Sequence, residues 1–386
     1  MQNKFSRLKL SLSKTHPFLD GTVTSRSTPC SFCQTKTGFK IGEVAYWDIS
    51  DMNVVQCPQC RQMQLDPMLT PDEVVAGCIA SHAHEKHRLP PRWFVKNNKR
   101  HFRAGVRFAA YLESKGIRPR RIMEMGPGEG YFSRALSTMI PGLEVVCVDA
   151  DEQVAIELKR DHGFETHVGL AEDLSTLPDN DFDLIISRDF LEHLIDPAKV
   201  IQNCHRLLKP GGHLYTLTPN GYQDVWHIYL RWVLFSDRTD LFINHLNYFD
   251  GAALVAYLNQ SGLTPVDCYQ EGAKPMIRGD GWSFDPKHAG QPPQRLSHHD
   301  YFFESENEQA ISVDDVLPSP IWLNNPFFRK LLSLRYTVGH LPKLKFSMDR
   351  QVGHYISCLN QKRDPGKTPR RSWSGYNSRN AAMLLL

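Results

Sequence analysis

Two cysteine pairs, "CSFC" from Cys30 to Cys33 and "CPQC" from Cys57 to Cys60, are separated by 23 residues. Thiolates are soft ligands, and the loop of a C-x-x-C pair lets both sulfurs reach one ion. The pattern therefore points to a four-thiolate Zn2+ site made by Cys30, Cys33, Cys57 and Cys60. Closed coordination leaves no open position, so such a zinc is structural. The alternative, a redox C-x-x-C, would set one pair in the strand-to-helix turn of a thioredoxin-like unit.

A second chemical signal is "RIMEMGPGEGYFSRAL", Arg121 to Leu136, where Gly126, Gly128 and Gly130 alternate between an apolar run and a helical pattern. Glycines there permit backbone conformations and a close approach that a Cβ would obstruct, and the following helix start offers free N–H groups. The loop reads GxGxG with Glu124 two residues ahead, not the GxGxxG of a dinucleotide site. That departure points to a ligand other than a dinucleotide. The next apolar run ends in Asp149 and Ala150, 19 residues past Gly130 for the acid. An acid at that strand end is placed to accept hydrogen bonds from two ribose hydroxyls.

These residues need elements to position them. From Arg121 onward short apolar runs alternate with helical patterns: "RIMEM" then "GYFSRALSTM", "EVVCVDA" then "DEQVAIELKRD", "FDLIISR" then "PAKVIQNCHRLL", and "HLYTLT" then, after a long connection, "DGAALVAYLNQSG". Strand and helix in alternation build a doubly wound α/β domain on a mostly parallel sheet. The expected organisation is a loose arm over 1–26, the cysteine module over 27–69, linking helices over 70–117, the core over 118–271, and an insertion over 272–349 that could line a substrate pocket. A final core strand over 350–363 and a disordered tail over 364–386 complete it. Within this scheme Thr70 caps a helix opening with Pro71, and Gly116 stops a second one.

Glu-x-Gly-x-Gly-x-Gly, followed by Asp149, "FDLIISRDFLEHL" and "LLKPGG", resembles the class I S-adenosylmethionine-dependent methyltransferases over about Arg121 to Gln270. With the cysteine pairs ahead of it, the chain also resembles a bacterial subfamily that carries an amino-terminal zinc ribbon. The resemblance implies a Rossmann-like seven-stranded sheet whose cofactor, S-adenosylmethionine, lies against Glu124, Gly126, Gly128, Gly130, Asp149 and Ala150. It puts adenine recognition on Ala171 and Glu172, with Leu170 where many relatives have an acid, and Arg188 near the pocket. Asp183, at the start of its strand, is expected to be structural.

Methyl transfer is an in-line displacement, so the enzyme must align the reactants and, for a hydroxyl acceptor, remove a proton. Imidazole titrates near working pH, which makes His193 in "LEHL" and His245 in "NHLNYF" the candidate catalytic bases. Each could instead be a hydrogen-bonded structural residue. Asn220 and Tyr248 are further pocket candidates. The aromatic stretch "GYQDVWHIYLRWVLF" reads equally as a packing helix or a substrate lid.

The balance of 45 basic and 42 acidic residues is too even to imply nucleic acid or an anionic membrane as partner. No stretch has the ~20 apolar residues of a membrane span. Nine cysteines without a disulfide-type framework suit a reducing, cytoplasmic setting. The expected activity is methylation of a small biosynthetic acceptor, a hydroxyl of a sugar-containing or related metabolite. Methylation of RNA or protein with the ribbon as docking element, and cofactor binding without catalysis, are the alternatives; oligomeric state is not legible.

Overall fold

The computed structural model describes residues 23–46, 49–77, 79, 91–221, 224–225, 245–271, 325–327, 330–331, 345–346 and 355–364. The expected tail, most of the expected insertion and most of the aromatic stretch after Asn220 lie outside these residues.

The sheet that carries the core has the strand order β12-β11-β13-β9-β8-β5-β6-β7. Its parallel part consists of β5 (Arg121–Met125), β6 (Glu144–Asp149), β7 (Glu165–Val168), β8 (Phe182–Arg188) and β9 (Leu208–Pro219). The long strands β11 (Leu263–Glu271) and β13 (Tyr355–Lys362) close it antiparallel, with β13 between β9 and β11. These are the seven strands expected; the two-residue β12 (Lys345–Phe346) adds an eighth at the edge of β11.

Side chains alternate across the parallel strands, and both faces are apolar. Met123, Met125, Val146, Val148 and Ile185 face one cluster, with α4 (Pro197–Leu207) and α5 (Gly251–Gln260); Ile122, Val145, Cys147, Leu184 and Ile186 face the other. The second cluster is covered by α1 (Pro91–Ser114), α2 (Tyr131–Met139) and α3 (Glu152–His162). Burial on both sides is why these strands read as continuous apolar runs instead of an alternating pattern. Asp183 accepts from the Arg120 and Arg121 N–H groups and from Lys209, a structural tie at the amino end of β8.

The helices α1 and α2 approach closely at Gly105. A Cβ there would lie 2.4 Å from the Phe132 carbonyl oxygen and 2.7 Å from the Ala135 Cβ. Gly105→Ala is accordingly expected to cost about 1–3 kcal/mol through overpacking, read as a lower urea midpoint with an unchanged slope.

The amino-terminal module is a second sheet, β1 (Val23–Ser25), β2 (Thr37–Tyr46), β3 (Ile49–Gln56) and β4 (Met63–Asp66). Strand β1 falls in the stretch expected to be a loose arm. Its Val-Thr-Ser sequence favours extended backbone, and pairing with β2 fixes it. Thr70 and Glu73 form a reciprocal capping box at the start of a helix over 71–77, and the second helix begins at Pro91, earlier than the apolar periodicity suggests. The module's sheet also takes in β10 (Asn247–Tyr248), which belongs to the core by sequence and pairs antiparallel with β4. Among the described residues no helix is long and apolar enough to cross a membrane.

Candidate functional site

The order of strands reverses around β5 and β8, so their carboxyl ends open the crevice where α/β sheets take ligands. The glycine loop fills the turn after β5. Gly126, Gly128 and Gly130 have φ of 59°, 55° and 73°, a region that disfavours side chains. Their surroundings differ. A Cβ on Gly126 would sit 2.3 Å from the Phe190 ring, and one on Gly130 would sit 2.5 Å from Leu158, whereas one on Gly128 would meet nothing within 4 Å. The flanking glycines serve internal packing; the middle one faces open space, as a ligand cradle requires. The loop is held from above by α1, where Asn98 donates to Glu129 at 2.6 Å.

Glu124 is 2% exposed and accepts from the Ser133 hydroxyl. Burial lifts its carboxyl to about 7, while the Arg188 guanidinium and the Ser133 bond pull the other way. The unfolded value is about 4.3, so burial favours the protonated form. That contribution to stability is complete below the unfolded value and is lost as pH rises through about 7. In the ligand-free protein the melting-temperature advantage of Glu124→Gln over wild type is therefore expected to grow from pH 5 to pH 8; an advantage independent of pH would count against the assignment.

The other residues expected at a cofactor site fall into two groups. Asp149 ends β6 and Ala150 follows it, both partly exposed, and one Asp149 oxygen accepts from the Asp151 N–H at 2.9 Å. Arg188 ends β8 with its guanidinium 3.9 Å from the centre of the Phe132 ring. Ala171 and Glu172 follow β7 as expected, yet both do structural work there. The Ala171 carbonyl accepts from Asn203, and Glu172 Oε1 accepts from the Ile195 and Asp196 N–H groups, fixing the entry to α4.

The two histidines meet. His193 lies in a 3-10 turn, Leu191–His193, directly after β8, and its ring is 5.0 Å from that of His245 in edge-to-face contact. His245 Nδ1 is 2.8 Å from Asp224 Oδ2, both side chains being buried. A carboxylate only accepts, so Nδ1 carries the proton and Nε2 is left as a basic nitrogen. Burial pulls His245 down to about 3, which keeps the ring neutral near pH 7. Its Nε2 is 3.9 Å from Glu192 Oε1. Glu192 is 1% exposed; Thr218 donates to Oε2 at 2.8 Å, Oε1 has no hydrogen-bond partner, and burial with Asp189 nearby pushes its carboxyl well up. Asp189 itself has φ of 49°, strained backbone at the mouth of the site. Asn220 is fully buried and donates to Gln270, and Tyr248 is buried beside His245.

Asp224 and Glu192 were not singled out from sequence. Glu192 carried a signal, since it precedes His193 at the end of an apolar strand; Asp224 had none, because its pairing with His245 is made only in the fold. Phe190 links the halves: its ring packs on Gly126 and its chain leads into the His193 turn.

The four cysteine sulfurs lie within 4.8 Å of one another, with Cys30–Cys60 and Cys33–Cys57 at 3.4 Å. Four Zn–S bonds of about 2.3 Å at tetrahedral angles need sulfurs under 4 Å apart, which these residues meet with small adjustment. The two knuckles repeat one geometry. Gln34 and Arg61, each following the second cysteine of its pair, have φ of 61° and 68° and return their N–H to the carbonyl of the first cysteine at 2.9 Å. Glu192, His193 and His245 also offer three ligand atoms within 4.8 Å.

Residues 94–267 match the model of a family described as a methyltransferase domain. Among curated relatives, the ubiquinone biosynthesis O-methyltransferase of Pseudomonas aeruginosa strain LESB58 is 32% identical over 28% of this chain and 48% of its own. That of Xanthomonas oryzae pv. oryzae strain PXO99A is 33% identical over 26% and 43%. The chain thus spans about half the length of the curated relatives it matches. Among solved structures, a SAM-dependent methyltransferase from Archaeoglobus fulgidus aligns at 16% identity and a TM-score of 0.38, over 66% of this chain and 93% of that one. Residues 94–267, somewhat less than half of the chain, are thus similar to a methyltransferase domain.

Proposed function

We propose that the chain is an S-adenosylmethionine-dependent O-methyltransferase acting on a small biosynthetic molecule, through a hydroxyl of a sugar-containing or related metabolite. The observation that carries this reading is the open face of Gly128 on a loop whose Gly126 packs on Phe190, the residue that leads into the His193 turn against which the Asp224–His245 pair lies. The cofactor, when bound, supplies an electrophilic methyl on a cationic sulfur. The chain's residues do the rest. Gly128 leaves room at the loop, Asp149 takes ribose hydroxyls, and Glu124, buried behind the loop and held by Ser133, supports the loop from within and is drawn to its charged form only by a cationic ligand. His245 Nε2 is placed to take the acceptor hydroxyl's proton when the methyl would pass from the sulfonium to that oxygen and leave a neutral thioether, and Asp224 would stabilise the imidazolium so formed. His193, edge-on to His245, lines the acceptor side. The thiolate set of the ribbon holds Zn2+ and belongs in a reducing compartment, where we place the protein.

Calorimetric titration with S-adenosylmethionine and S-adenosylhomocysteine tests the cofactor. Micromolar binding of both is expected, weakened at least about tenfold in Asp149→Ala by loss of two charge-assisted hydrogen bonds. No binding to a folded sample would remove the reading. An acceptor panel of sugar nucleotides and hydroxylated aromatics then separates acceptor classes.

The unpartnered Glu192 Oε1 favours a second reading of how the hydroxyl is activated. Glu192, His193 and His245 could share a divalent cation that lowers the hydroxyl's pKa in place of a base. Turnover abolished by chelation, not recovered with zinc enough to refill the ribbon, and restored by manganese or iron(II) would support it; turnover indifferent to these ions would leave the base mechanism.

A further inference from the structure

The segment carrying His245 lies between two parts of the molecule. On one side Leu246 N–H donates to the Glu192 carbonyl at 2.8 Å, and Asn247 donates to the Leu194 carbonyl at 2.6 Å, both in the turn that holds His193. On the other side Leu65 N–H, in ribbon strand β4, donates to the Leu246 carbonyl at 2.9 Å, and Asn247 and Tyr248 pair with Gln64 and Met63. One peptide unit away from His245, then, the main chain is hydrogen-bonded to both the ribbon and the candidate active-site turn.

Both metal knuckles reinforce that seam. Phe32, inside the first C-x-x-C, stacks on Tyr257 at 4.2 Å between centroids and 7° between planes, and lies 6.1 Å from Phe249. Arg61, directly after the second, pairs with Asp250 at 2.8 Å. Asp250 is 2% exposed on its side chain and caps α5 through the Ala253 N–H. Strand β4 is itself tied to the first knuckle, since Gln64 accepts from Ser31 N–H and donates to the Pro29 carbonyl. A knuckle conformation held by four sulfurs is thus transmitted to residues 245–250 by one stack, one ion pair and a short ladder.

We propose that the ribbon's metal site is a positioning device for the His193–His245 pair: ion binding at Cys30, Cys33, Cys57 and Cys60 sets β4, and β4 holds the His245 segment against the His193 turn. The glycine loop lies on β5 and α2 and, among the described residues, meets this seam only through Phe190, packed on Gly126. Metal occupancy is therefore coupled to the histidine pair far more strongly than to cofactor binding. The knuckle backbone at Gln34 and Arg61, in the left-handed region, is held by one N–H bond each to the Cys30 and Cys57 carbonyls, and the ion adds the four-sulfur constraint that locks it.

The test uses the full chain, zinc-loaded and zinc-stripped, with S-adenosylhomocysteine as the probe of the glycine loop. Three quantities are read: S-adenosylhomocysteine affinity, amide exchange at Leu246 and Leu65, and the His245 Nδ1 proton resonance, assigned by its absence from His245→Ala. Stripping is expected to leave the affinity within about threefold, to speed exchange at both amides at least about tenfold, and to erase the resonance, all reversed by zinc. Unchanged exchange and an intact resonance would overturn the proposal. So would parallel loss of S-adenosylhomocysteine binding, because the ribbon would then support the whole fold and not the pair.

Arg61→Ala keeps all four cysteines and guards against a stripped protein that fails to fold. It is expected to retain one zinc, to raise Leu246 exchange at least about threefold, and to be rescued by Arg61→Lys, which keeps a cation for Asp250. No change in exchange would again overturn the inference. The inference rests on the reading of His245 as the base only for its functional consequence. A His245→Ala enzyme with full activity removes that reading, while these exchange and resonance results stand or fall independently of it.

Discussion

His245→Ala is expected to lower kcat at least about 100-fold with an acceptor from the panel, while S-adenosylhomocysteine affinity stays within about twofold. The magnitude follows from what the ring does. A hydroxyl becomes a strong nucleophile only as its proton leaves, and a positioned base contributes typically 10²–10⁴-fold. His245 is oriented for this by Asp224, which fixes the tautomer at 2.8 Å; burial keeps the free ring neutral but weakens it as a base, so its proton uptake depends on Asp224 stabilising the imidazolium. The pH profile separates this from a structural role. A base already neutral in the free enzyme gives no acid limb between pH 6 and 7, so kcat/KM should be flat there. Asp224→Asn should keep the packing yet lower kcat about tenfold or more by losing the imidazolium's partner. A His245→Ala enzyme whose affinity for S-adenosylhomocysteine falls in step with kcat would show that the residue props up the fold.

The second large effect concerns the glycine loop. Gly128→Val is expected to fold, because no atom lies within 4 Å of the added Cβ, and to bind S-adenosylmethionine at least about 100-fold more weakly. The left-handed backbone, φ of 55°, adds a strain of about 1–3 kcal/mol, a modest fall in melting temperature. Gly126→Val contrasts with it. Its Cβ would enter the Phe190 ring at 2.3 Å and push the turn that bears His193, so stability and binding should fall together. Loss of binding without loss of fold at position 128, and loss of both at 126, is the pattern a cradle predicts. Normal cofactor binding by Gly128→Val would sink the assignment.

Much of this was readable because it is local. Alternate glycines after an apolar run demand positive φ, and all three have it. Apolar runs such as "FDLIISR" are continuous because β8 is covered on both faces, so strand and helix could be told apart by length and flanking residues. The knuckles needed only spacing. What could not be read was tertiary. Nothing in "GYQDVW" marks Asp224 as a partner for a histidine 21 residues on, and nothing in "LNYF" marks two residues that pair with the ribbon's sheet. Glu172 was legible as a pocket residue after β7, whereas the use of its Oε1 by backbone N–H groups 23 and 24 residues away in sequence was not. Polar side chains are spent on the nearest orphan donors, and which donors are near is a property of the fold.

The position of β13 bears on how the chain comes to be folded. Residues 355–362 sit between β9 and β11, so β11 has β13 for its principal neighbour and cannot join the sheet until that strand is present. During synthesis the glycine loop, α2 and the parallel strands can assemble early, while the edge of β9 waits exposed for a segment made much later. An unpaired edge is an invitation to intermolecular pairing. Ribosome-stalled chains ending before residue 355 should therefore already protect the amides of β5 and β6 and yet be the species that chaperones retain, released only as the last strand slots into the middle of a sheet that is otherwise made.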